Sequence, residues 1–155
     1  MINNQDIKKL INTEPNNIEV YRIAFVHKSV VQDVCMTSYD RIEYLGDSVI
    51  NLIIAHILYE KFPRDDEGYL TRLRTRIVCT DGLSKFAKYL NLEKHIQMNG
   101  NISDGILEDV FESLVGALYI DKGFVTAMEF MRSLCVDALN WDEVKQDTNY
   151  KEPRV

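Results

Sequence analysis

The sequence predicts an all-α domain, and three observations carry that prediction. Apolar residues recur three and four apart in one segment after another. No segment alternates polar and apolar residues for long enough to argue for a sheet. Nothing repeats internally, and 155 residues with 46% hydrophobic content suit one ordinary globular domain with a proper core.

The elements follow in order. Ile7, Leu10 and Ile11 place a short helix near residues 4 to 12, before the break at Pro15. Asn16 with Glu19 resembles a capping box and opens a second helix carrying Ile18, Tyr21, Ile23, Ala24 and Phe25, which ends near His27-Lys28-Ser29. A looser polar segment, 30–38, leads to the central stretch from Ser38 to Lys61. Pro63 stops that helix, and Asp65 or Asp66 caps the next, which runs through Leu70, Leu73 and Ile77. Asp81 starts a helix through Leu83, Phe86, Ala87 and Leu90, and the polar run from Asn99 to Asp104 is the clearest loop. A second long helix carries Ile106, Leu107, Val110, Leu114, Val115 and Leu118. A last one from about Val125 carries Ala127, Met128, Phe130, Met131, Leu134, Cys135 and Leu139 as core. The domain is expected to occupy 1–140, with 141–155 as a frayed tail or linker.

Bulk properties narrow the function classes. A net charge of −6 does not suit a general nucleic-acid-coating protein, although it leaves room for an enzyme whose carboxylates are neutralised by metal ions. Cys35, Cys79 and Cys135 are odd in number and follow no metal-ligand spacing, so they read as reduced, core-packing thiols of an intracellular protein. The first residues lack the apolar run of a signal peptide. The oily segment Val49–Tyr59 is interrupted by Asn51 and His56 and falls short of the about 20 residues that span a bilayer. A soluble, cytoplasmic protein with no membrane partner is expected.

The central stretch joins acid and oil in two patterns. Asp40, Glu43, Asp47 and Asn51, spaced 3, 4 and 4, form one narrow stripe on a helix that is otherwise mostly apolar, through Ile42, Tyr44, Leu45, Val49, Ile50, Leu52, Ile53 and Ile57. Such a helix is buried on several sides, at the centre of a bundle or of a bundle plus a subunit contact. Its carboxylates then repel one another and lose hydration, so they protonate, find basic partners or bind a cation. The plainer reading is a solvated face with Arg41 as counter-charge. Gly46 costs about 1 kcal/mol relative to Ala in mid-helix, which suggests a close approach to its backbone.

A second acidic pair, Asp109 and Glu112, shares a stripe with Gly105 and Gly116. Two such helices side by side would bring Glu43, Asp47, Asp109 and Glu112 together. Hard oxygen ligands on rigid helices suit Mg²⁺, which keeps waters and lets a substrate phosphate complete its shell, and the absence of Cys and His from the stripes argues against zinc. His27, His56 and His95 share no spacing and read as structural or surface residues. Arg64, Arg72 and Arg76, with Arg74, Lys85 and Lys88, could track phosphates, diluted by Asp65, Asp66, Glu67 and Asp81.

These residues also carry a resemblance. DRIEYLGDSVI resembles the signature stretch of the ribonuclease III family, and His27-Lys28-Ser29, FPRDDEGYLTRLR and EDVFESLVGALYIDKG resemble three further blocks of it, in the right order over roughly residues 20 to 125. The resemblance implies a ribonuclease III-like helical endonuclease domain in which Glu43, Asp47, Asp109 and Glu112 hold the metal. Asp47 and Glu112 would be catalytic, with hydrolysis depending most on Glu112. Glu67 matches a family acid at the edge of the site, and Asp40 stands where the family usually has the longer Glu. It further implies a homodimer in which Tyr44 plugs a pocket of the partner. It implies Mg²⁺, with Mn²⁺ substituting and no small-molecule cofactor, and cleavage of double-stranded RNA to 5′-phosphate and 3′-hydroxyl ends. The alternative is a catalytically silent relative that binds structured RNA or a ribonucleoprotein; such relatives typically lose inner carboxylates, and all four are present. Nothing after Asn140 could form the double-stranded-RNA-binding domain that family members often carry, so the chain is expected to be a compact member or a piece of a longer protein.

Overall fold

The computed structural model describes residues 1–146, and among them helices and turns make up the whole architecture apart from one isolated bridge between Val26 and Gln97. Helix α1 (Asn4–Ile11) starts at Asn3, whose side chain accepts from Asp6 N while Asp6 accepts from Asn3 N, and ends at Asn12 in the left-handed region. Helix α2 (Ile18–Ala24) is capped by Asn17, not by the expected Asn16. The Asn16 side chain is occupied elsewhere, since its amide N–H donates to Asp121 O and its amide oxygen accepts from Lys122 Nζ. The helix also stops earlier than the sequence suggested, because His27 caps a separate 3₁₀ turn at Lys28–Val30. Within the segment expected to be loose lies a short α3 (Val34–Thr37).

Helix α4 (Asp40–Lys61) follows, then α5 (Glu67–Ile77), capped by Asp66 through Tyr69 N. Helix α6 (Thr80–Tyr89) begins one residue before the expected Asp81, with the Cys79 thiol accepting from Gly82 N. Cys79 is thus a helix cap rather than a piece of core. Helices α7 (Asp104–Lys122), α8 (Phe124–Asp137) and α9 (Trp141–Lys145) complete the described chain.

Helices α4 and α7 are the central pair. Helix α5 packs on α4, α2 and α6 pack on α7, and α8 packs on both. Between them lies a continuous core that includes Ile50, Ile53, Ile54, Phe111, Leu114 and Leu118. Two glycines set the distance between the central helices. A β-carbon on Gly46 would lie 1.8 Å from the Glu112 carbonyl oxygen, and one on Gly116 would lie 2.4 Å from the Ile42 carbonyl oxygen. The helices therefore touch backbone to backbone at a place where only glycine fits. Gly105 plays no such part, since its β-carbon would meet only the Ser103 hydroxyl.

Two expectations need adjusting. Helix α4 is long and apolar enough, by length and composition alone, to cross a bilayer, because Asn51 and His56 interrupt a longer run than Val49–Tyr59. Its packing partners α5, α7 and α8 are nevertheless helices of the same bundle. The expected tail, for its part, begins as α9. Val144 there is 7% exposed, and the Trp141 indole N–H donates to Cys135 O at 2.9 Å beside the Phe62 ring. The rest of that tail, 147–155, lies outside the described residues.

Candidate metal centre

The Gly46–Gly116 crossing lies within a turn of Glu43 and Asp47 on α4 and about one turn from Glu112 on α7, with Asp109 one turn further along. It brings carboxylate oxygens of Glu43, Asp109 and Glu112 to within 4.8 Å of one another. Glu112 is 6% exposed, whereas Glu43 and Asp109 are half-buried. Asp47 is the exposed member, joined to Glu112 by a carboxyl–carboxyl hydrogen bond and steadied by the Asn51 amide, which donates to Asp47 Oδ1 at 3.4 Å. Asp40, half-buried in the first turn of α4, is close enough for its charge to act on both Glu43 and Asp109.

Burial and mutual repulsion push these groups toward their neutral forms. Burial first, then the hydrogen bond to Asp47 and the charges of Asp47, Glu108 and Glu43, raise Glu112 to about 9. Burial, followed by the charges of Asp109, Asp40, Asp47 and Glu108, raises Glu43 to about 7. Asp109 is raised too, chiefly by burial, against the pull of a hydrogen bond from the Tyr39 hydroxyl at 3.3 Å and of nearby His27. The strongest charged neighbours of Glu43 and Glu112 are all carboxylates. Arg41, the counter-charge of the solvated-face reading, is exposed and lies against the Met36 sulfur. Of the three fates open to crowded carboxylates, protonation and a cation remain. Several hard oxygens converging on one point, with no Lys or Arg among the strongest charged neighbours of Glu43, Asp109 or Glu112, fit a hard divalent ion.

Glu108 escaped the sequence reading. Its charge bears on Glu43, Asp109 and Glu112, and its carboxylate accepts from the Thr80 hydroxyl at 2.8 Å. Its only sequence signal was adjacency to Asp109, which puts it about 100° round the helix from the acidic stripe.

Glu67 does not join the cluster in its own chain. It opens α5 and lines a cavity of about 670 Å³ with Leu58, Tyr59, Phe62, Leu70 and Arg74, at the end of α4 about 20 Å from Glu43. Tyr44 is 78% exposed on the outer side of α4, as are Leu52 and Tyr59. Arg64 is exposed, while Arg72 and Arg76 are half-buried on α5. The histidines are engaged in the structure: His27 caps its turn and meets Tyr39 edge-on, His56 pairs with Glu60, and His95 packs on Phe25.

Comparison with known proteins agrees with this layout. The Ribonuclease-III-like family profile matches residues 17–139. The chain is 36% identical over 159 residues to a putative protein of Paramecium bursaria Chlorella virus 1, covering 98% of this chain and 57% of that protein. To ribonuclease 3 of Azobacteroides pseudotrichonymphae it is 34% identical over 150 residues, covering 92% and 58% respectively. The chain thus spans a little over half the length of these curated relatives. Its fold matches the nuclease domain of ribonuclease III from Campylobacter jejuni with a TM-score of 0.80 at 27% identity, covering 88% of this chain and 99% of that one. That domain has structural flexibility in a region involved in dimer formation.

Proposed function

The chain belongs to the ribonuclease III family, and on that premise we propose that it is an endoribonuclease that hydrolyses double-stranded RNA to 5′-phosphate and 3′-hydroxyl ends. The observation that carries this reading is the convergence of Glu43, Asp109 and Glu112 across the α4–α7 crossing, with Asp47 beside them. These four carboxylates would hold the metal. Bound divalent cations, Mg²⁺ with Mn²⁺ as a substitute, would supply Lewis acidity and a water of lowered pKa.

The chain's own part is positional and electrostatic. Glu43 and Asp109 present oxygens from two helices whose spacing the glycines hold. Burial and the surrounding carboxylates favour the protonated form of Glu112, and a divalent cation held there would compete with that proton. Asp47, at the solvent side, lies where a phosphodiester would approach. Asp40 acts from the outer shell on an arm one methylene shorter than the family's usual Glu.

The proposed nuclease domain is 1–140 with α9 packed on it, and the residues beyond serve as tail or linker. The enzyme is placed in the cytoplasm, in keeping with its three free thiols. Its dimer would cover the outer side of α4, where Tyr44, Leu52 and Tyr59 leave apolar surface open. The cavity that Glu67 lines is the candidate receptor for Tyr44 from a second copy. Because Tyr44 adjoins Glu43, that docking would bring Glu67 of each chain to the other chain's cluster, which accounts for its distance from its own. Of the candidates Arg64, Arg72 and Arg76, Arg64 is the exposed one, and binding of RNA phosphates by so few cations would be weak and salt-sensitive.

A defined RNA duplex incubated with and without Mg²⁺, for wild type and Glu112→Gln, tests the reading. Mg²⁺-dependent cleavage by wild type alone supports it; no cleavage, or equal cleavage by the variant, overturns it. Light scattering on Tyr44→Asp tests the dimer, and an unchanged dimer would remove Tyr44 from the contact.

A further inference from the structure

Tyr39 has no part in the chemistry so far, yet it touches both helices that carry the acids. Its side chain is enclosed, 2% exposed, and its ring meets His27 edge-on with centroids 5.9 Å apart. Its backbone is held as well: its N–H donates to Val26 O at 2.9 Å, and its carbonyl accepts from Glu43 N at 2.8 Å in the first turn of α4. From the ring held in this way, the hydroxyl donates to Asp109 Oδ2 on α7 at 3.3 Å. We propose that Tyr39 is a positioning residue: its hydroxyl fixes the rotation of the Asp109 carboxylate and thereby sets the affinity of the cluster for a divalent cation.

The physical reason is the softness of a carboxylate. Rotation about its last torsion is broad and roughly two-fold, so an unheld aspartate samples orientations that a metal must then select. A hydroxyl on one oxygen removes that freedom and leaves the other oxygen as a ligand atom. Partners of this kind, one step behind a ligand, typically change metal affinity or activity by about 10–100-fold when removed. The inference rests on reading the cluster as a metal site, so its test must separate the two.

Mn²⁺ binding to the full chain without RNA, followed by calorimetry, provides the readout, alongside thermal melting without metal. Tyr39→Phe should melt within about 2 °C of wild type yet bind Mn²⁺ about 10-fold more weakly. Tyr39→Leu should show the same loss of affinity together with a lower melting temperature, because it also empties the ring's place. In an Asp109→Asn background Tyr39→Phe should change Mn²⁺ affinity no further, since the pair acts as one unit. If Tyr39→Phe binds Mn²⁺ like wild type while Glu112→Gln does not, Tyr39 only fills space and the inference fails alone. If wild type shows no saturable Mn²⁺ binding that depends on Glu112, the metal site itself fails and Tyr39 loses its role with it.

Discussion

From Asp40 to Asp47, α4 runs against α7 with no side chain between the backbones at Gly46 and carries three carboxylates on its flank. From Asn51 to Lys61 the same helix is chiefly a packing element: Ile53, Ile54, Ile57 and Leu58 are buried, and Arg132 donates to Glu60 at 2.5 Å, although Leu52 and Tyr59 stay exposed on its outer side. The second half stabilises the fold. The first half costs stability, through a helix-interior glycine and through acids held in a place where they resist ionisation. A helix that spends stability at one end and recovers it at the other locates the functional end without reference to any relative.

The contrast is broken most severely at the crossing. Gly46→Ala puts a methyl carbon onto a backbone carbonyl that has nowhere to move, and should cost about 3 kcal/mol or more, enough to unfold a marginal domain. Gly68→Ala is the control, because its β-carbon would meet nothing closer than 3.6 Å, and it should gain roughly 0.5 kcal/mol. Denaturant melts of the two variants measure the difference directly. Equal effects would mean that the glycines do not set the helix spacing.

Glu112→Gln comes next and acts in two directions. Cleavage should drop by about a thousand-fold or more, while the metal-free fold should hold or gain stability as one repelled charge disappears. The sign with pH follows from the folded state holding protons more tightly. Glu43 and Glu112 ordinarily titrate at 4.5 and are raised to about 7 and about 9. The folded state therefore binds more protons across those windows, and stability present at pH 4.5 declines as pH rises to about 7 for Glu43 and about 9 for Glu112. Thermal melts from pH 5 to 9 should show this alkaline loss in wild type, a smaller one in the variant, and its reversal by Mg²⁺ in wild type. A melting temperature that rises with pH would contradict the assignment of the raised groups.

Trp141→Ala probes the region that the sequence alone reads as tail. Loss of its packing on Phe62 and of its hydrogen bond to Cys135 O should cost about 2 kcal/mol, or roughly 4–8 °C in melting temperature, without affecting metal binding. The smallest effect belongs to Arg132→Ala in the second half of α4. An exposed pair of this kind should leave the melting temperature within about 2 °C.

Much of the site was legible because a helix has a fixed period. Spacings of three and four are enough to align Asp40, Glu43 and Asp47 on one helix and Asp109 and Glu112 on another, whatever the helices pack against. Position 46 was legible as a close approach because glycine in mid-helix carries a cost that needs a reason. Other features left no such trace. Asn16 and Asn17 are equally good caps locally, and the far end of α7 decides between them by engaging the Asn16 side chain through Asp121 O and Lys122 Nζ, which leaves the Asn17 side chain to cap. Trp141 and Val144 are single apolar residues among charges, too sparse to form a period, and only the surface they meet makes them a helix.

The sequence alone therefore determined the fold class, the order of the long helices and the two acidic stripes, since each depends on a few neighbouring residues and on helix geometry. Tertiary structure decided which partner Gly46 meets, that within the cluster Glu112 is the most buried acid and Asp47 the exposed one, that Glu108 joins the field, and that Glu67 lies at the opposite end of α4. Each of these depends on distances between residues far apart in the chain. Local periodicity carries no information about such distances, and close packing sets every one of them.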